Sequence, residues 1–242
     1  MIIDVSNTIG RHKFKPQITA ESILERMNST GIDKAVINCY PESLDNDSIY
    51  KAILEYPGRF IGLYTVNPWS DRPEIELEDA LKNKGFKGLY LHPLRQGFML
   101  CEHEVFYPLL EVCQKYSGVV WCYGAAEVFS SPVFFNKIAA DFPMLNIIMG
   151  RQGLQYDNAS AVVVAQRHKN VYLETSAGME FNTLRALKVA GVDKVLFGTG
   201  TPECGYFELE LKKVRRALEK FPEGVDQVLY KNAARIFRLG EE

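Results

Sequence analysis

Short apolar runs recur along the chain, and each is followed by a polar turn and then by apolar residues at helical spacing. In the first unit, an apolar strand over residues 2–5 meets a polar turn, and a helix then runs from near Thr19 to Gly31. The same rhythm predicts eight strands, over residues 2–5, 34–39, 60–66, 86–91, 118–122, 145–149, 171–174 and 195–197. Eight strands that alternate with helices favour an α/β fold, a closed parallel (β/α)8 TIM barrel, with an extra C-terminal helix over residues 225–239.

Composition narrows the class of protein. The 242 residues suit one barrel of roughly 250 residues, and no Pro/Gly/Ser-rich linker interrupts them, so we expect one domain over residues 1–242. A formal net charge of −2 offers no basic surface for nucleic acid or for an anionic membrane. No apolar run reaches the roughly 20 residues of a membrane span, and the N-terminus has no signal-peptide pattern, so we expect a cytoplasmic protein. Five widely spaced cysteines without a CxxC pair indicate neither a disulfide framework nor a zinc finger.

Six segments of the chain are similar to a known family. They are MIIDVSNTIG, GFKGLYLHP, FPMLNIIMGRQG, NVYLETSAG, VLFGTGTP and KNAARIFRL. Together and in this order they resemble the amidohydrolase-2 branch of the amidohydrolase superfamily, the relatives of aminocarboxymuconate-semialdehyde decarboxylase. The resemblance implies a TIM barrel with one divalent metal, commonly zinc, at the carboxyl ends of the strands.

The positions at which this resemblance places the metal ligands hold other residues here. The family's His-x-His after strand one falls on Ser6 and Thr8, its His after strand five on Cys122, and its Asp after strand eight on Gly200. A further family His after strand six, which helps to activate the metal-bound water, falls on Arg151. Hydroxyls are poor zinc ligands, glycine has no side-chain donor, and a guanidinium repels a cation. We therefore expect no metal and no other cofactor, with zinc only at a non-standard site.

Arg151 suggests a different ligand. A guanidinium near the barrel axis suits a carboxylate or a phosphate, because its planar fork matches two oxygens. The alternative is an internal salt bridge from Arg151 to Glu174 or Asp4 in the place of the metal. The predicted ligand-binding set is Arg151, Ser6, Thr8 and Thr201. Four aromatic residues that follow strand ends either line a pocket or plug the barrel: Tyr40, Trp69, Tyr123 and Tyr206.

Three polar groups at strand ends are candidates for catalysis: His92, Cys122 and Glu174. His92 either takes part in catalysis or maintains the loop geometry by hydrogen bonding to the backbone. Cys122 is either a nucleophile, if a positive neighbour lowers its pKa, or an unreactive buried thiol. Glu174 either acts as a base, if burial raises its pKa, or pairs with Arg151.

Two functions of different classes remain open. The first is a metal-free barrel without catalysis that binds a small anionic molecule or regulates an active homologue. Such a chain forms either a homo-oligomer or a hetero-oligomer with that homologue. The second is a working hydrolase or lyase for a carboxylate, amide or lactone substrate, with a non-standard site around His92, Cys122 and Glu174.

Overall fold

The computed structural model describes residues 1–12, 14, 16–125, 128–204 and 207–240. Within these residues, eight parallel strands pair in chain order, and helices lie between successive strands. This arrangement confirms the predicted (β/α)8 barrel. The strands are β1 Ile3–Ile9, β2 Lys34–Cys39, β3 Phe60–Thr65, β4 Gly88–Leu91, β5 Val119–Tyr123, β6 Ile147–Gly150, β7 Val171–Glu174 and β8 Val195–Leu196.

Local signals account for the helix ends. The Thr19 side chain accepts the backbone N–H of Ser22, the Ser22 hydroxyl accepts that of Thr19, and the first helix ends at Gly31 in the left-handed conformation. The helices are α1 Ala20–Thr30, α2 Asn46–Glu55, α3 Pro73–Asn83, α4 Pro93–Gln96, α5 His103–Lys115, α6 Phe135–Asp141, α7 Asn158–Arg167, α8 Glu180–Val189, α9 Phe207–Leu218 and α10 Asn232–Ile236. No described helix combines the length and apolarity needed to cross a membrane.

The short helix α4 was not predicted, and two further elements differ from the prediction. β1 continues beyond Val5 because residues 7–9 keep pairing with β2 after a bulge between Asp4 and Asn7. The single helix predicted over residues 225–239 is instead a π-helical segment, Gln227–Lys231, followed by the short α10. Both irregularities lie beside the line along which β8 meets β1.

The strand side chains alternate between two apolar layers. On β5, Val119 and Trp121 belong to an inner cluster that fills the barrel, whereas Val120 and Cys122 belong to an outer cluster that packs under the helices. The other strands contribute to the inner cluster in the same alternation with Ile3, Val5, Val36, Ile61, Leu63, Tyr90, Ile148, Tyr172 and Leu196.

The C-terminal segment closes the end of the barrel at which the strands begin. Ile236 and Phe237 belong to the inner cluster and are each 2% exposed. Asn232 Nδ2 donates hydrogen bonds to the carbonyl oxygens of Val192, at 2.7 Å, and Val195, at 2.8 Å, just before and at the start of β8. The loops that follow the strands therefore surround the other end, which we call the mouth.

Candidate active site

Arg151 follows β6 directly and extends across the mouth towards β8. Its backbone is left-handed, with φ of 66°, and its N–H donates to Glu174 Oε2 at 3.0 Å. Its guanidinium lies beside Gly200: a Cβ added at Gly200 would stand 3.1 Å from Arg151 Nη1 and 2.8 Å from Ser176 Oγ. The guanidinium therefore occupies the space beside the position at which the family resemblance implies a metal-binding Asp.

The guanidinium of Arg151 pairs with a carboxylate that the sequence analysis did not single out. Arg151 Nη2 lies 3.1 Å from Glu203 Oε2, and Arg95 Nη2 donates to Glu203 Oε1. Arg95 also lies 3.2 Å from Glu42. The salt bridge from Arg151 to Glu174 or Asp4, which was the alternative to ligand binding, is wrong in its partner, because the side chain reaches past β7 to the loop after β8 and pairs with Glu203. Two cations and two anions balance within this network.

Glu174 is held by hydrogen bonds to neighbouring groups. Its carboxylate is fully buried and accepts the Ser176 N–H at 2.5 Å, the Ser176 hydroxyl at 2.9 Å and the Arg151 N–H. A Cβ added at Gly198 would stand 2.2 Å from Glu174 Oε1, so glycine at that position makes room for the carboxylate. These contacts fix Glu174 as a support for the backbone of the loops after β6 and β7.

Asp4 joins β1 to β8. Its carboxylate accepts the N–H of Thr199 at 2.9 Å, the hydroxyl of Thr199 at 2.6 Å and the N–H of Ser6 at 3.1 Å. Burial raises the pKa of Asp4 to about 7, although these hydrogen bonds oppose the shift. Further along the same line, Thr8 N donates to Thr201 O at 2.8 Å. Ser6, Thr8 and Thr201, three residues of the predicted ligand-binding set, therefore lie together where β1 meets β8.

His92 is buried inside the mouth. Its ring stacks on Tyr123 with centroids 4.1 Å apart, and the guanidinium of Arg151 lies 5.8 Å from the same Tyr123 ring. Burial, together with the positive charges of Arg95 and Arg151, lowers the pKa of His92 to about 3. Its Nδ1 is buried and has no hydrogen-bond partner among the described residues. Stacking on Tyr123 thus accounts for the ring position, and the expected hydrogen bond to the backbone is not formed at Nδ1.

Cys122 does not lie with the other two predicted catalytic residues. Its side chain belongs to the outer cluster, whereas Glu174 and His92 continue the inward-facing series of β7 and β4. Burial raises the pKa of the Cys122 thiol, so the reactive thiolate is disfavoured. The β5 residues that face the barrel are Val119, Trp121 and Tyr123.

Metal binding has little support from the donor atoms that the mouth provides. Within the ranges that the structure describes, no group of three or more His, Cys, Asp or Glu side chains could hold an ion. Hydroxyls and a guanidinium do not fit a divalent metal. The mouth instead contains buried polar atoms without a partner among the described residues: Tyr40 Oη, His92 Nδ1, Trp121 Nε1 and Arg151 Nε.

Arg95, Glu203 and Glu42 were not identified from the sequence. Each is a charged residue shortly after a strand end, which is the signal that could have drawn attention to them. Of the four predicted aromatic residues, Tyr40 and Tyr123 contact this network, since Arg95 lies 5.5 Å from the Tyr40 ring and Arg151 lies over that of Tyr123. Trp69 is 58% exposed, and Tyr206 lies outside the described residues.

Comparison with known proteins gives one family and several structures. A family model described as Amidohydrolase matches residues 8–239. No curated protein matches the chain. A manganese-bound 5-carboxyvanillate decarboxylase from Novosphingobium aromaticivorans, with 3-methoxy-4-hydroxy-5-nitrobenzoic acid, has a TM-score of 0.76 at 18% identity over 99% of this chain and 97% of that chain.

Two further solved structures share the fold. A 2,6-dihydroxybenzoate decarboxylase complexed with 2,6-dihydroxybenzoate has a TM-score of 0.73 at 15% identity, over 98% of this chain and 99% of that chain. A probable 2-pyrone-4,6-dicarboxylic acid hydrolase from Acinetobacter baumannii, with citric acid bound, also has a TM-score of 0.73 at 15% identity, over 98% of this chain and 99% of that chain. At these identities the likeness shows a common fold.

Proposed function

The chain belongs to the amidohydrolase family, and from that premise we propose that it is a divergent member whose mouth binds a small carboxylate-bearing molecule without a metal at the family's ligand positions. The family model, which matches residues 8–239, confirms the family resemblance that the six sequence segments indicated. The absence of catalysis is part of the same proposal, because the reaction that the resemblance implies depends on a metal-bound water.

One observation carries the proposal. The guanidinium of Arg151 lies beside position 200, where an added Cβ would be only 3.1 Å from Nη1, and the Arg151 side chain is 7% exposed. A buried positive charge in that place opposes a cation and favours an anion.

The carboxylate class of ligand rests on two arguments. Two guanidiniums, from Arg95 and Arg151, already hold a carboxylate between them, that of Glu203. The bound molecules in the three structures compared above are 3-methoxy-4-hydroxy-5-nitrobenzoic acid, 2,6-dihydroxybenzoate and citric acid, all of which carry carboxyl groups. The hydroxyls of Ser6, Thr8 and Thr201 remain the predicted neighbours of such a ligand.

Calorimetric titration with 2,6-dihydroxybenzoate and with citrate tests the proposal. We expect binding of at least one probe by the wild-type protein and its loss in Arg151→Gln. Arg72→Gln is the control, because Arg72 is an exposed residue that precedes α3. Metal analysis of protein purified without chelator should find less than stoichiometric zinc or manganese. One tightly held metal per chain, or no binding of either probe, would contradict the proposal.

The alternative, a hydrolase or lyase around His92, Cys122 and Glu174, gains no support from the side-chain positions. Cys122 packs outside the barrel wall, and Glu174 accepts three hydrogen bonds from its neighbours. Pairing with an active homologue or with a second copy stays a prediction, and the mass of the native protein in solution tests it.

A further inference from the structure

Glu203 occupies a position that resembles that of a bound ligand. Its carboxylate bridges Arg95, in the helix α4 that follows β4, and Arg151, which follows β6, while Glu203 itself follows β8. Its side chain is 17% exposed, more than that of Arg151 at 7%. The backbone is fixed by a turn, since the N–H groups of Glu203 and Cys204 both donate to Gly200 O, at 2.9 and 3.0 Å. Rotation of the Glu203 side chain towards solvent would therefore free both guanidiniums without moving the turn.

The charges around Arg95 and Arg151 favour a ligand carboxylate that replaces the Glu203 carboxylate over one that binds beside it. Arg95 and Arg151 are balanced by Glu203 and Glu42. A second carboxylate that entered beside Glu203 would leave an uncompensated negative charge in a largely buried site, which is costly. A carboxylate that replaces Glu203 keeps the balance.

Glu203 leaves hydrogen-bond donors unused. Arg151 Nε has no partner among the described residues, and the same holds for Tyr40 Oη. Both residues are buried, since as whole residues Arg151 is 6% exposed and Tyr40 is 1% exposed. Tyr40 lies beside Arg95, whose guanidinium is 5.5 Å from the centroid of the Tyr40 ring. Burial, and after it the negative charge of Glu203, raises the pKa of Tyr40 to about 12. A ligand with a second acceptor could use these donors, which Glu203 does not.

We propose that Glu203 is an internal stand-in for the ligand: it holds the place of a carboxylate between Arg95 and Arg151, and a small molecule with one carboxylate and a second oxygen acceptor binds by displacing it. This inference rests on the proposed function. It adds that affinity is limited by competition with Glu203.

The test compares Glu203→Gln with the wild type in calorimetric titrations with 2,6-dihydroxybenzoate. Removing the competing charge should lower Kd at least tenfold, and Glu203→Ala, which also removes the bulk, should lower it as much or more. Glu78→Gln is the matched control, because it also removes a carboxylate from an ion pair, that of Glu78 on α3 with Lys115 on α5, which lies outside the network of Arg95 and Arg151; its Kd should stay within about threefold of the wild type. The uncharged 2,6-dihydroxybenzamide should bind none of these proteins.

The outcomes separate this inference from the proposed function. If Glu203→Gln and Glu203→Ala both fold, as judged by near-UV circular dichroism, and bind no tighter than the wild type, the inference is overturned. The proposed function would stand if that binding still required Arg151. If neither the wild type nor any variant binds 2,6-dihydroxybenzoate or citrate at millimolar concentration, both are overturned. A gain in affinity that Arg95→Gln abolishes in the Glu203→Gln background supports the exchange.

Discussion

At the scale of single residues, three glycines decide which side chains the mouth can hold. A Cβ added at Gly150 would stand 2.2 Å from the Trp121 ring, and one at Gly198 would stand 2.2 Å from Glu174 Oε1. At Gly200 it would approach Ser176 and Arg151. Each glycine thus makes room for a larger side chain from another strand end.

Gly200→Ala should therefore destabilise the protein more than a glycine replacement with the same backbone strain. Gly31 is the matched control, since its φ of 72° is close to the 65° of Gly200 and nothing lies within 4 Å of its added Cβ. We expect a loss of about 1 kcal/mol for Gly31→Ala, from the positive φ alone. Crowding should bring the loss for Gly200→Ala to roughly 2–3 kcal/mol. Guanidinium chloride unfolding at pH 7 measures both, and equal losses would mean that the space at Gly200 is not filled.

The buried neutral His92 should make the protein sensitive to acid. Its pKa is lowered from 6.5 to about 3, so between these values the unfolded chain binds a proton that the folded protein does not. The His92 contribution to stability is therefore lost as the pH falls from 6.5 towards 3, by about 2–3 kcal/mol at pH 4.5 relative to pH 7. His92→Phe keeps a ring on Tyr123 and removes this loss. The check is the free energy of unfolding of both proteins at the two pH values; parallel changes would contradict the assignment.

At the scale of elements, the β1–β8 junction depends on a side chain. Val5 N–H donates to Phe197 O at 3.0 Å and Thr8 N–H to Thr201 O at 2.8 Å, and between them the Asp4 carboxylate receives two hydrogen bonds from Thr199. Asp4 thus takes the place of a backbone acceptor where the bulge in β1 interrupts regular pairing.

Asp4→Asn should weaken this junction by roughly 1–3 kcal/mol, because the amide has one oxygen and its NH2 group cannot accept a hydrogen bond in the place of the second. The pKa of Asp4 is raised from 3.8 to about 7, so its protonation stabilises the folded state at low pH, and this contribution is lost as the pH rises through 7. The difference between wild type and variant should therefore be larger at pH 5 than at pH 8, by roughly 2 kcal/mol. Asp33→Asn is the control, because exposed Asp33 accepts the Ile2 N–H at 2.6 Å at the other end of the barrel. The free energy of unfolding should fall less in Asp33→Asn than in Asp4→Asn. A difference that shrinks at pH 5 would refute the raised pKa.

The strands and helices could be predicted because their periodicity is local, whereas the mouth depends on contacts between distant residues. Arg95 and Glu203 are 108 positions apart, and no local pattern joins them. The side of β5 on which Cys122 lies could not be read from its sequence, VVWCY, because all five residues are apolar and an alternation of polar and apolar positions is absent. Arg151 could be placed at the mouth because a turn with two glycines follows a short apolar run there.

At the scale of the whole molecule, we expect the closed end of the barrel to contribute to stability and the mouth to bind the ligand. Phe237 is 2% exposed in the inner cluster at the closed end, far along the chain from the residues of the mouth. Phe237→Ala should cost about 3–5 kcal/mol of stability. At a temperature at which the variant is folded, its Kd for 2,6-dihydroxybenzoate should match the wild type, as calorimetry can show. A tenfold weaker Kd would mean that the two ends are coupled.

Treatment with a metal chelator should leave the thermal stability of the protein unchanged. A bound ion stabilises the folded state by an amount that grows with its concentration over Kd, so a protein that needs zinc or manganese loses thermal stability in chelator. The interior of this barrel is instead filled by its own side chains, with Trp121 in the space at Gly150 and Arg151 beside Gly200. Dialysis against EDTA should therefore shift Tm by less than about 1 °C, and later addition of zinc or manganese should not raise it. A reversible fall of several degrees would show that an ion stabilises the fold, and the search for its ligands would then begin with residues other than Ser6, Thr8, Cys122 and Gly200.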